Sequence, residues 1–290
     1  MNARSLLAEA AQRLADAGVE SPRVDAELLL AAVLGLPRGR LLTLDDVPPE
    51  PTARFAAWVD QRASRVPLQH LTGTAPFRHV ELAVGPGVFV PRPETEQIAG
   101  WVLERIAGLA APTVVDLGAG SGAIALSVAA EHPGARVLAV ERDAGAIEWT
   151  RHNAAARAAA GDTPVEVLAG DMTDPQLLRE LDGTVDVVVS NPPYVPDGAR
   201  LPREVADHDP PLALWGGPDG LDVVRGLLGT AARLLRPGGW LGIEHADQQG
   251  DSLPVLVRGS GGWTAVADHP DLAGRPRYTT AQRSGHQAAT

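Results

Sequence analysis

Apolar and polar positions alternate with two different periods along this chain. In "SLLAEAAQRLADAG" Leu6, Leu7, Ala10, Ala11 and Leu14 recur at helical spacing, and Gly18 predicts the stop. Ser21 in a cap position and Pro22 at the first turn predict a second helix through "VDAELLLAAVLG" to Gly35. A third, "PPEPTARFAAWVDQRASR", carries Phe55, Trp58 and Val59. Residues 1–72 therefore predict a small helical bundle without an obvious catalytic group. The register changes in "GTAPFRHVELAVGPGVFVPRPETE". Val80, Leu82 and Val84 alternate, "GPG" reads as a turn and Val88 to Val90 as the return, so residues 73–92 predict a β-hairpin connector.

From Pro93 onward helix and strand patterns alternate. Helices are predicted at about 93–109, 121–131, 144–160 and 221–235. Strands are predicted at 113–117, 136–140, 165–168, 185–189 and 240–244. Strands separated by helices imply a parallel, doubly wound α/β sheet over residues 93–290. Trp215, Trp240 and Trp263 are expected in its core, and the closing "SGHQAAT" is expected to fray.

The chain has 290 residues and is 44% hydrophobic, ample for a packed core. No apolar stretch reaches the roughly 18 residues of a membrane span. The N-terminus is amphipathic and carries acids, unlike a signal peptide. With no cysteine, disulfides, thiolate metal sites and Cys nucleophiles are excluded. A cytoplasmic location and a monomer are expected. Net charge is −11, and every basic residue other than His is Arg. The acid is uneven: residues 1–72 hold 8 Arg against 9 acids, the remainder 17 against 27. Such a balance argues against direct nucleic-acid binding, where basic footprints dominate, and suits a basic protein partner or a cationic cofactor.

Candidate chemistry begins at "VVDLGAGSGAIALSVA", which reads as strand, glycine turn and helix. Gly118, Gly120 and Gly122 allow a tight bend and close approach of a ligand. With Ala119, Ser121 and Ala123 they satisfy a GxGxxA dinucleotide fingerprint as well as the looser GxGxG. Glu141, 19 residues beyond Gly122, suits either reading, because a carboxylate there can accept ribose hydroxyls. Asp116 favours the second. A negative charge beside the turn is unhelpful to a pyrophosphate and reasonable near a sulfonium and an ammonium. "VVDLGAGSG" resembles motif I of class I S-adenosylmethionine (SAM) methyltransferases, which implies their Rossmann-like fold. The plainer alternative is a turn that only packs helix on strand. In the families resembled, Asp171 of "AGDMTD" and Met172 after it line the adenine; Asp171 reads equally as a turn acid.

"SNPPYVP" follows the apolar run 185–189. Two prolines can simply stop a strand. They can also hold acceptors for one planar group. An amide or amino nitrogen conjugated to a π system is a weak nucleophile. The Asn191 oxygen and the Pro192 carbonyl can each accept one of its N–H groups. Pro192 and Pro193 fix their direction, and Tyr194 offers a face for stacking. Such a tetrapeptide resembles the motif of methyltransferases acting on planar nitrogen.

Taken with "PLQHLTGTAPFRHVELAVGPGVFVPRPETE" and "GGPDGLD…LLRPGGWLGIEH", these motifs resemble the bacterial peptide-chain release factor glutamine N5-methyltransferase family over most of the chain. The resemblance implies methylation by SAM, leaving S-adenosylhomocysteine, of the glutamine amide in the Gly-Gly-Gln tripeptide of class-1 release factors, which modulates translation termination. It implies that residues 1–72 dock the substrate. SAM is then held by Gly118–Gly122, Glu141, Met172 and Asn191, and the glutamine by Asn191, Pro192, Pro193 and Tyr194. Phe89 and Arg92 line the pocket mouth. Met172 stands where an aromatic is common, Asp209 where Glu is usual and Ala246 where Gly is usual; none is expected to touch the chemistry.

Two other classes stay open: a relative methylating a ribosomal-protein glutamine or an adenine N6, and a non-catalytic SAM-binding module. No His spacing matches a metal motif, "ADHDP" reads as a polar surface loop, no metal site is expected, and no GxSxG supports a hydrolase.

Overall fold

The computed structural model describes residues 1–285, so the end of the tail expected to fray lies outside the described residues. The chain divides into two compact units. The first holds Met1–Thr74, Val84–Pro86 and Leu201–His208, and the second the rest of the described chain.

In the first unit α1 (Ala3–Asp16) begins on Asn2, whose side chain accepts from the N–H groups of Arg4 and Ser5 at 3.1 and 3.2 Å. The helix thus starts two residues before the expected "SLLAEA". α2 (Pro22–Leu34) ends on Gly35 at φ 62°, a conformation that favours glycine. Ser21 stands at its cap position, yet its hydroxyl makes no cap hydrogen bond. α3 (Pro49–Ala63) and α4 (Leu68–Thr72) complete the N-terminal helices. They bury Leu14, Leu29, Leu30, Phe55 and Val59 together.

One charged cluster sits inside this unit. Arg62 on α3 is 6% exposed; its Nε meets Asp25 of α2 at 2.7 Å and its Nη1 meets Glu204 at 2.8 Å. Glu204 lies on a short helix, Arg203–His208, α8 in chain order. Burial disfavours the guanidinium charge, but the two carboxylates outweigh it and raise the Arg62 pKa.

In the second unit the hairpin is displaced from its expected place. β1 (Thr74–Phe77) and β2 (Val80–Ala83) are joined at Arg78 and His79, and Val88 to Val90 form no strand. Arg78 adopts φ 51°, uncommon for a side chain with a Cβ. Remote partners hold it there. Its N–H donates to Glu96 Oε1 at 2.9 Å, and its guanidinium grips Glu131 with two bonds of 2.7 Å.

After the hairpin come α5 (Glu96–Ile106), β3 (Thr113–Leu117), α6 (Ala123–Glu131), β4 (Arg136–Glu141), α7 (Ala144–Ala159), β5 (Glu166–Ala169) and β6 (Val185–Ser190). Then follow α9 (Asp222–Leu234), β7 (Leu235–Glu244), α10 (Ser252–Gly259), β8 (Trp263–Pro270) and β9 (Pro276–Arg283). The sheet runs β5-β4-β3-β6-β7-β9-β8. Its first five strands pair in parallel, as expected, and β9 and β8 are added antiparallel. Those two strands and α10 are absent from the elements anticipated. Side chains of α5, α6 and α7 cover one face and those of α9 and α10 the other. Val114 and Val115, on successive positions of β3, are both fully buried, one toward each face. Each such burial contributes roughly 1.5–3 kcal/mol. Trp101 is buried, against Trp240 edge-on at 6.2 Å; Trp240 and Trp263 are half-buried and pack against the core, and Trp215 is half-buried too.

The strand order reverses between β3 and β6. In open α/β sheets ligands bind outside the carboxyl ends of the strands at that switch.

Candidate active site

The glycine turn after β3 is hung from the end of β4: the N–H groups of Gly118 and Ala119 both donate to the Val140 carbonyl, at 2.8 and 3.0 Å. Gly118, Gly120 and Gly122 have φ of 83°, 58° and 87°. A Cβ on Gly118 would lie 2.6 Å from Met172 Cε and 3.9 Å from the Asn191 carbonyl oxygen. One on Gly120 would meet nothing within 4 Å, so the space beside its Cα is open. The turn's carbonyls are tied down, since Thr150 Oγ1 donates to that of Gly120 at 2.6 Å and Asn153 Nδ2 to that of buried Ser121 at 2.9 Å.

Glu141 closes β4. Its Oε2 accepts from Gly120 N–H at 2.9 Å, and its Oε1 from those of Arg142 and Asp143 at 2.7 and 2.9 Å. A carboxylate offers about four acceptor directions, so capacity remains. Asp171 accepts from the Thr173 N–H at 2.8 Å and hydroxyl at 2.7 Å. Partial burial pushes its pKa up, but Thr173 and the Arg142 guanidinium outweigh that and lower it.

Asp116 lies beneath the turn, 1% exposed. Its Oδ2 accepts from Ala125 N–H of α6 at 3.1 Å, while Oδ1 has no hydrogen-bond partner. Burial raises its pKa to about 7; the Ala125 bond opposes the shift and the Glu141 charge adds to it.

Asn191 follows the last residue of β6. Its Nδ2 donates to Thr95 Oγ1, at the start of α5, over 3.2 Å. Pro192 and Pro193 are buried and Tyr194 is half-buried. Burial drives the Tyr194 phenol well above its ordinary pKa, with the nearby Glu244 charge adding to the shift. The peptide is braced by a second loop. Val195 N–H donates to the Leu214 carbonyl at 2.8 Å, and Gly216 N–H to the Val195 carbonyl at 2.9 Å. A Cβ on Gly220, already at φ 75°, would fall 2.2 Å from the Tyr194 carbonyl oxygen. Gln249 Nε2 also donates to that oxygen at 3.1 Å, and its Oε1 accepts from Ala246 N–H at 3.0 Å. The glycines of "GGPDGLD" and the polar groups of "ADQQG" therefore support the proline turn.

Phe89 and Arg92 stack, with the guanidinium 4.9 Å from the ring centroid. Arg92 Nη2 also pairs with Asp209 Oδ2 at 2.8 Å. Asp209 is 5% exposed, not part of a solvated loop, and it touches a residue proposed for the pocket mouth. Asp116, Gly118–Gly122, Glu141, Asp171, Met172 and Asn191 thus gather on the carboxyl ends of β3, β4, β5 and β6. Thr95, Glu244, Gln249 and Gly220 adjoin them, though sequence reasoning does not single them out; "PETE" and "GIEH" are the available signals.

Known proteins resemble this chain over nearly its whole length. Residues 5–73 match the family model described as PrmC N-terminal domain, and residues 79–206 the methyltransferase small domain. The release factor glutamine methyltransferase of Mycolicibacterium smegmatis is 51% identical over 280 residues, covering 97% of each chain. That of Streptomyces coelicolor is 50% identical, over 96% of this chain and 97% of its own. Among solved structures, a T. thermophilus 16S rRNA N2 G1207 methyltransferase in complex with AdoMet and guanosine shares the fold. Its TM-score is 0.51 at 24% identity, covering 72% of this chain and 49% of that one. Half identity over nearly the full length of both partners spans the N-terminal helices and the sheet together, and the chain belongs to the release factor glutamine methyltransferase family.

Proposed function

We propose that this enzyme transfers a methyl group from SAM to the side-chain amide nitrogen of the glutamine in the Gly-Gly-Gln tripeptide of a class-1 release factor. The observation that carries the reading is Asn191, anchored at the end of β6 within reach of the glycine turn.

The residues present fit the cofactor. Asp116 Oδ1 is a buried acceptor with no hydrogen-bond partner, suited to a cationic ligand, and the position a Cβ would take at Gly120 is open space. Glu141 retains capacity for ribose hydroxyls, and Met172 and Asp171 stand where the adenine would lie. SAM supplies a methyl group on a positively charged sulfur. Asn191 Oδ1 and the Pro192 carbonyl accept the two N–H groups of the glutamine amide, holding its nitrogen in line for attack. The same acceptors stabilise positive charge growing on that nitrogen, and its proton, acidified by alkylation, leaves without a dedicated base. Tyr194 stacks on the amide plane, and Phe89 and Arg92 border the entrance. Residues 1–72 serve as a docking domain ahead of the hairpin of β1 and β2 and the catalytic portion at 93–290. The enzyme works in the cytoplasm, where its substrate acts, and no described helix is long and apolar enough to cross a membrane.

The test is incubation with SAM and a class-1 release factor, followed by mass measurement of the tryptic peptide containing Gly-Gly-Gln. One added methyl on that glutamine supports the reading; an unmodified peptide with SAM still bound refutes the substrate.

Gly220→Ala is expected to shift the proline turn, because the new Cβ meets backbone rather than a yielding side chain. A displacement of this kind lowers kcat by roughly 100-fold. SAM affinity, measured by calorimetry, should change little. A second expectation follows from charge. Residues 73–290 hold 27 acids against 17 Arg, so a basic partner is steered toward them. Raising salt from about 50 to about 500 mM should lower kcat/KM by about tenfold. A flat salt dependence would exclude steering.

A further inference from the structure

Asn191 can accept from a substrate amide only if its own amide points one way. A carboxamide has a donor end and an acceptor end of nearly equal shape, and a flip exchanges them. The protein must therefore choose the orientation.

Nδ2 of Asn191 donates to Thr95 Oγ1 at 3.2 Å, and Thr95 is 4% exposed. Beyond it lies Glu244, the last residue of β7. The pairing of Ser190 with Ile243 brings the next positions, Asn191 and Glu244, side by side at the strand ends. The Glu244 carboxyl is 2% exposed, its Oε2 has no hydrogen-bond partner, and the neighbouring Thr95 and Asn191 side chains favour its charged form. The Thr95 hydroxyl accepts from the amide, which leaves its own proton to be directed at the neighbouring carboxylate. Were the amide flipped, Oδ1 would face the carboxylate and compete with it for the one proton of the hydroxyl, costly beside two buried groups.

We propose that Glu244 is a positioning residue for methyl transfer: together with Thr95 it engages the Nδ2 end of Asn191 and commits Oδ1 to the substrate amide. The inference rests on Asn191 being the residue that binds the glutamine. It makes orientation depend on ionisation. A neutral Glu244 carries a proton of its own and tolerates either end of the amide. Burial raises its pKa to about 7, opposed by Thr95, by the Arg277 charge from β9 and by Asn191, and supported by Glu94 from the turn before α5. Tyr194, from the proline turn, is the other titratable group facing it. The ionised form prevails above that value, so kcat should rise as pH increases through about 7.

The experiment measures kcat, release-factor KM and SAM affinity for the full chain, Glu244→Gln, Thr95→Val and Thr95→Ser across pH. Glu244→Gln is expected to lower kcat about tenfold or more, leave KM and SAM affinity within about threefold, and remove the limb near neutral pH. Thr95→Val should lose rate similarly, and Thr95→Ser should recover most of it by restoring the hydroxyl. Should Glu244→Gln fail to fold, the Thr95 pair carries the test. An active wild type whose rate and pH limb survive Glu244→Gln overturns the proposal and assigns the limb to Asp116, which also titrates near 7. Equal losses in Thr95→Val and Thr95→Ser, with SAM binding weakened alike, overturn it as well. Absence of glutamine methylation by the wild type, or full activity of Asn191→Ala, instead sinks the underlying functional reading.

Discussion

Asn191→Ala is expected to reduce methyl transfer to release-factor glutamine by about 100- to 1000-fold. The amide nitrogen of glutamine is a poor nucleophile because its lone pair is shared with the carbonyl. Much of the rate must come from holding that nitrogen in line and from acceptors prepared for the charge it acquires. Removing Oδ1 deletes one of two such acceptors and leaves the Pro192 carbonyl alone. The loss should fall mainly on kcat in single-turnover mass measurements. SAM affinity should weaken less, because Glu141, Asp116 and the glycine turn keep their partners. The side chain is only half-buried and adjoins the open crevice, so its truncation should leave thermal stability nearly intact. A variant that kept wild-type kcat would remove Asn191 from the chemistry and return "SNPPYVP" to a strand-ending turn.

The second large effect concerns folding. Arg62→Ala should destabilise the N-terminal unit by about 3–5 kcal/mol, read as a lower midpoint in urea denaturation followed by helical circular dichroism. Arg62 neutralises both Asp25 and Glu204, and also donates to the Val66 carbonyl at 3.0 Å. Taking away the guanidinium leaves two carboxylates with little access to water: Asp25 loses its ion-pair partner, and Glu204 keeps only the longer contact to Arg65 at 3.5 Å. Most of the cost lies in those stranded anions rather than in the lost bonds. Asp25→Asn combined with Glu204→Gln in the Arg62→Ala background should therefore recover much of it. If the single variant lost under about 1 kcal/mol, the cluster would be behaving as a solvated surface pair.

Much of the fold is legible in the chain because its signals are local. Short apolar runs such as "TVVDL" and "VDVVVS" read as buried strands, and their observed spans, Thr113–Leu117 and Val185–Ser190, lie within a residue of those predicted. Gly35 and the motif glycines mark positive φ by the absence of a Cβ. The hairpin misleads for the opposite reason. Its turn is at Arg78, whose backbone is held by Glu96 and whose side chain is held by Glu131, 18 and 53 residues away. "GPG" looks like the better turn because glycine and proline advertise themselves and a remote ion pair does not. β8 and β9 escape because β8 is mostly half-exposed, so its apolar pattern is too weak to identify it without its partner.

Residue type determined the chemistry available to this protein: a glycine turn open to a ligand, carboxylates beside it, an amide and two proline-fixed carbonyls at a strand end. Tertiary structure decided how those groups are tuned. Strand register set Glu244 beside Asn191, chain folding across 117 residues joined Arg92 to Asp209, and burial moved Asp116 and Glu244 toward neutral pH. Hydrogen-bonding capacity and charge belong to a side chain, and one sequence position is enough to read them. Orientation, desolvation and counter-charge belong to the neighbours, which exist only once distant segments have packed.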